Sequence, residues 1–169
     1  QYITYQKYNA SNVTKSLDRL IDKTQQVRRD VARHSKEIDY DLLKKYTGEQ
    51  RLSGITLMSP SGDVVQEYKT VDIPDAEVRK EIKREVVLNT AQYELKNYAE
   101  RIETEDGTLV DISAVGRPDQ KGVIVCYTVT KAQYAKNYAL SIQSLLEGYN
   151  MHTNGTIIIT KEKKIIASN

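Results

Sequence analysis

Apolar positions recur through the first forty residues in a 4,3 alternation: Val13, Leu17, Leu20, Thr24, Val27, Val31, His34 and Ile38. A stripe of that period lies along one side of an α-helix. The spacing therefore predicts one long amphipathic helix over Val13–Ile38, with Ser11 and Asn12 as N-cap candidates. Thr24 and His34 fall on the stripe itself, where a polar residue weakens packing and can fix register. Two surfaces could cover the stripe, the chain's own sheet or the same helix of a second copy, so a homodimer through the Val13–Ile38 helix is one expectation. A shorter helical stretch, Asp39–Tyr46, comes next.

The period then changes. Gly54–Ser59 (GITLMS) and Asp63–Tyr68 (DVVQEY) read as strands joined by Pro60-Ser61-Gly62, residues that favour a tight reversal. Asp72 and Pro74 open a helix with Val78, Ile82, Val86, Asn89 and Tyr93 on its inner side, and the charged run Arg79–Arg84 reads as a solvated face. Three more strands follow, Tyr98–Thr104, Thr108–Gly116 and Val123–Thr130, separated by a Glu105-Asp106-Gly107 turn and the loop Arg117–Gly122. Two hairpin-linked strands, a helical excursion and a three-stranded meander predict an α+β fold of the PAS or profilin type, built on a five-stranded antiparallel sheet. The long N-terminal helix would lie across one face. The Asp72–Lys96 segment would arch over the other, and a cavity commonly forms beneath such an arch. The tail repeats the plan with a helix over Ala132–Tyr149 and a hairpin of Gly155–Thr160 and Lys164–Ser168. Residues 1–130 are thus expected to form a first module with its leading helix, and 131–169 the connecting helix and opening hairpin of a truncated second one.

A length of 169 residues suits one domain with an appendage. The net charge of +2 is interspersed along the chain and makes no basic field, so nucleic acid is not an expected partner. The longest apolar run, Val123–Tyr127, is far short of the roughly 20 residues that cross a bilayer. Cys126 is the single cysteine and there are two histidines, which offers neither a disulfide framework nor a zinc cluster. Mid-strand among Val and Ile, Cys126 reads as a small hydrophobe, while Glu103, Glu105 and Asp106 flank a turn. With no phosphate-cradling glycine loop and no nucleophile motif, neither catalysis nor a cofactor is expected. Twelve Tyr with no Phe and no Trp is unusual; a ring with a polar tip suits half-wet walls.

Strand alternation selects candidate binding residues. Val125, Tyr127 and Val129 share a face. Leu109, Asp111, Ser113 and Val115 share another, opposite Val110, Ile112 and Ala114. The latter set is wholly apolar and suits packing, so Asp111 and Ser113 are placed with Tyr127 on the cavity side. Arg101 or Arg117 then pairs with Asp111 or with an anionic ligand; the alternative is that Asp111 simply bonds an arginine or backbone at the sheet edge. The candidate ligand-binding set is Tyr93, Tyr98, Arg101, Asp111, Ser113 and Tyr127.

Three segments, Gly54–Val65 (GITLMSPSGDVV), Ala114–Tyr127 (AVGRPDQKGVIVCY) and Gly155–Thr160 with Lys164–Asn169 (GTIIIT, KIIASN), resemble the extracellular double-Cache sensor domains of bacterial membrane receptors. The resemblance spans roughly Leu42–Asn169. It implies a non-catalytic, extracytoplasmic module that binds a small molecule between sheet and arch and signals through its long helices. The parent would be a membrane-spanning histidine kinase, diguanylate cyclase or chemoreceptor, of which this chain is a piece. Family members that bind amino acids carry an Arg-x-Trp-Tyr element before the meander and an Asp on the last strand. Here there is no Trp, Tyr127 stands at the position of that Asp, and Tyr98 stands near that of a pocket tyrosine. A dimeric helical scaffold without a ligand is the rival expectation, and a cytoplasmic PAS-like regulator a third.

Overall fold

The computed structural model describes residues 2–71, 80, 82–93, 96–134, 158–161 and 164–168. Helix α1 (Tyr2–Arg33) has 32 residues and is about 48 Å long. Ser11 and Asn12 lie inside it rather than at its start, and it stops before His34, whose amide donates to the Val31 carbonyl at 3.2 Å. Ile38 is beyond the helix but still buried. The chain turns there into α2 (Tyr40–Gln50), capped by the Asp39 carboxylate, which accepts from the Leu42 amide at 2.8 Å. The middle of the α1 stripe is covered by the chain's own sheet, while Val13 and Leu17 are half-buried. Leu20, Val27 and Val31 are buried there, and Thr24 is accommodated because its hydroxyl donates to the Leu20 carbonyl at 2.7 Å.

The sheet contains β1 (Gly54–Met58), β2 (Val64–Lys69), β3 (Asn97–Glu103), β4 (Leu109–Gly116) and β5 (Val123–Thr130), in the order β2-β1-β5-β4-β3 with every neighbouring pair antiparallel. This is the expected PAS-like α+β topology. Each face has its own core. Ile55, Leu57, Val115, Ile124 and Cys126 point toward α1 and α2, packing on Leu20, Val27, Val31 and Leu43. Met58, Val110, Ile112, Ala114, Val123, Val125 and Tyr127 point the other way, toward Ile82 and Val87 of the arch.

The arch is not one helix. Among its described residues Arg84 is extended (φ −63°, ψ 149°), followed by a single turn of helix, α3 (Glu85–Leu88), and a 3₁₀ turn, Asn89–Gln92. The break changes which residues face inward: Val87 and Thr90 are buried, whereas Val86 and Tyr93 are exposed. A segmented arch can stay on the sheet, and the Thr90 carbonyl comes so close to Gly116 that a Cβ there would lie 2.9 Å from it. Val78 and the predicted helix over Ala132–Tyr149 fall largely outside the described residues. Strands β6 (Ile158–Lys161) and β7 (Lys164–Ser168) pair antiparallel as a separate two-stranded sheet. Among the described residues no helix is long and apolar enough to cross a membrane.

Candidate functional site

Pairing of β1 with β5 sets Gly54 opposite Tyr127. The Tyr127 ring folds over that glycine; a Cβ at position 54 would stand 2.2 Å from its hydroxyl oxygen. Glycine is required here by close approach, and it lets a large aromatic lie flat along the sheet under the arch. Beside this ring is a cavity of about 190 Å³, lined by Thr56 and Met58 of β1, Val64, Glu67 and Lys69 of β2, Tyr127 of β5, and Ile82 and Lys83 of the arch. It is therefore a hollow between sheet and arch. Its position follows from alternation, because Thr56 and Met58 share the face of Gly54 and so of Tyr127.

The polar side of the hollow is organised by Glu67. Its Oε2 accepts from the Thr56 hydroxyl at 3.0 Å, and its Oε1 lies 3.5 Å from Lys69 Nζ. The apolar side consists of Met58, Val64, Ile82 and the tyrosine ring. Two other hollows are bounded by different residues. One of about 490 Å³ sits where Asp106 and Thr108 meet Val129 and Lys131, and one of about 360 Å³ lies between α1 and α2 beside His34 and Tyr46.

Of the candidates from sequence, Tyr127 alone lines the hollow under the arch. Tyr98 is on the same face and packs at the edge of that core, its hydroxyl donating to Glu100. Tyr93 is 56% exposed, with Lys96 Nζ 5.1 Å from its ring centroid. The placement of Asp111 and Ser113 beside Tyr127 is corrected by the register: Ile112, not Asp111 or Ser113, is opposite Tyr127. Both residues face α1.

There Asp111 is held by Arg101 in a two-pronged ion pair, Nε to Oδ1 at 2.6 Å and Nη2 to Oδ2 at 2.8 Å. Ser16 of α1 joins them, donating to Asp111 Oδ2 at 3.1 Å and accepting from Arg101 at 3.1 Å. The hydrogen bonds that Arg101 donates to Asp111 push the guanidinium pKa up against the opposing effect of burial. Arg117 is committed elsewhere, to Asp119 at 2.7 Å. Ser113 is buried, and among the described residues its hydroxyl has no partner. The apolar set Val110, Ile112 and Ala114 does pack, and the face it packs on is the arch side. A carboxylate can be buried on the helix side because an arginine and a serine meet it.

Burial pushes the Cys126 thiol up to about 12, with a nearby Thr24 hydroxyl acting in the opposite sense. A thiol so held carries almost no thiolate near neutral pH and is not an activated nucleophile. Among the described residues no group of three or more His, Cys, Asp or Glu side chains is placed to hold a metal ion.

No family model matches this sequence, and no curated protein matches it. Among solved structures, the sensory domain of the Campylobacter jejuni chemoreceptor Tlp3 (CcmL), determined with isoleucine bound, superposes with a TM-score of 0.51 at 14% sequence identity. The superposition covers 99% of this chain and 69% of that one. At that identity the likeness is one of fold: the chain has the fold of a chemoreceptor sensory domain.

Proposed function

We propose that this chain is the extracytoplasmic ligand-sensing part of a bacterial membrane receptor of the double-Cache kind, non-catalytic, with its small-molecule site between the sheet and the arch. The observation that carries the reading is the hollow beside Tyr127, which puts polar groups and apolar walls together under the arch of a sensory-domain fold. In this reading residues 1–130 are a membrane-distal module with its leading helix, 131–169 begin a second module, and the β6–β7 sheet is that module's first hairpin. A guest that prefers one arrangement of arch and sheet shifts the population of α1 positions, and α1 carries the bias onward to a kinase, cyclase or chemoreceptor output. The rival scaffold needs the stripe of α1 as its contact surface, and the Leu20, Val27 and Val31 part of that stripe packs on the sheet.

A thermal-shift panel of carboxylates, amines, amino acids, purines and sugars tests the site. A guest at a hundred times its dissociation constant stabilises the fold by about 2.7 kcal/mol, a rise of about 5–10 °C for a chain of this size. Val64 is half exposed at the rim, so Val64→Trp can plug the hollow without cutting into the core. The expected result is a rise with one chemical class that disappears in Val64→Trp. A flat panel, or a rise that survives the plug, would remove the proposed site.

A further inference from the structure

Charge around the hollow is unbalanced. Glu67 has both carboxylate oxygens engaged within the wall, one by the Thr56 hydroxyl and the other by Lys69. Lys83 lines the same space from the arch and makes no ion pair among the described residues. With Glu67 matched by Lys69, Lys83 leaves one positive charge in the lining. The same hollow is lined by the apolar Met58, Val64, Ile82 and the Tyr127 ring. An ammonium entering this hollow would meet the Lys83 charge and a carboxylate already shared by Thr56 and Lys69. An anionic head would find a donor at the rim, with space behind it for a hydrocarbon tail.

We infer that the site takes a small aliphatic carboxylate, its head bound by Lys83 and its tail against Met58, Val64 and Ile82, in preference to the matching amine or α-amino acid. This rests on the sensor reading and narrows it. The volume sets the size: a cavity of about 150 Å³ binds benzene, so about 190 Å³ admits a guest of about six to nine heavy atoms. The charge of Lys83 also makes capture weaken as salt is raised.

Four probes share one carbon skeleton and differ in the head group: 3-methylpentanoate, L-isoleucine, 3-methylpentylamine and 3-methylpentanamide. Calorimetric titration of the full 169-residue chain at low and physiological salt should rank 3-methylpentanoate first. Lys83→Met should weaken it about tenfold, and Lys83→Arg should restore most of the affinity. Tighter binding of isoleucine or of the amine would overturn the assignment while leaving a sensor in place. Equal affinity in Lys83→Met would overturn the role of Lys83. Silence from all four probes at both salt concentrations would overturn the inference, whereas the sensor reading is judged separately by the wider panel and the Val64→Trp plug.

Discussion

Replacing Arg101 by methionine strands the carboxylate of Asp111 beneath α1. The side chain of Asp111 is 8% exposed and that of Arg101 26%. Removing one partner of a buried pair costs about 3–5 kcal/mol, because the remaining charge has lost its water without compensation. Arg101 is partly in solvent and Ser16 would still donate to the carboxylate, so the lower end applies, about 3 kcal/mol, or about 6–12 °C in melting temperature for a chain of this length. Replacing both residues, Arg101→Met with Asp111→Leu, removes the stranded charge and should return the protein to within about 1 kcal/mol of the parent. Urea unfolding followed by far-ultraviolet circular dichroism gives all four corners of the cycle, with an expected coupling of about 2–3 kcal/mol. A single variant that loses less than about 1 kcal/mol, or a double variant as unstable as the sum of the two singles, would refute the account of Asp111 as a buried, paired carboxylate.

Two further outcomes follow from the packing of β5. Gly54→Ala forces a Cβ to within 2.2 Å of the Tyr127 hydroxyl and should cost about 1–3 kcal/mol by urea unfolding; an unchanged midpoint would mean that the ring does not lie over the glycine. For Cys126 the folded-state value of about 12 lies above the ordinary 9.0. Its contribution is therefore intact below pH 9 and is lost as the pH rises toward 12, because only the unfolded chain can ionise the thiol. The stability difference between the parent and Cys126→Ala should fall by about 1.4 kcal/mol per pH unit well above pH 9. A difference that stays flat to pH 11 would show the thiol to be solvated.

The sheet was legible because its signals are local. Runs such as Gly54–Met58 and Val123–Thr130 carry strand period and composition, and the turns between them carry reversal residues. The arch was less so. Its single apolar row, Ile82, Val86, Asn89 and Tyr93, fits a helix wheel, but the chain has to follow a twisted sheet and breaks at Arg84 to do it. Alternation identified which residues share a face, as it did for Asp111 and Ser113, but it carries no label for the face. Polarity alone puts Asp111 on the cavity side, whereas the alternative reading, an Asp111–arginine pair, is what the structure holds. The residues missed altogether, Thr56, Glu67, Lys69 and Lys83, look like ordinary surface positions in sequence. The signal that would have found them is the β1–β5 pairing, which carries the face of Tyr127 across to Thr56 and Met58 and from there to Glu67.

Neighbouring residues of β5 belong to opposite sides of the sheet: Cys126 sits under Thr24 of α1, and Tyr127 forms a wall of the hollow. Between the hollow and the long rod of α1 there is a single peptide plane, about 3.3 Å of chain. No relay of side chains is required. In the proposed function, a guest pressing on the tyrosine tilts that plane like a lever, and close packing passes the strain to the rod on its far side.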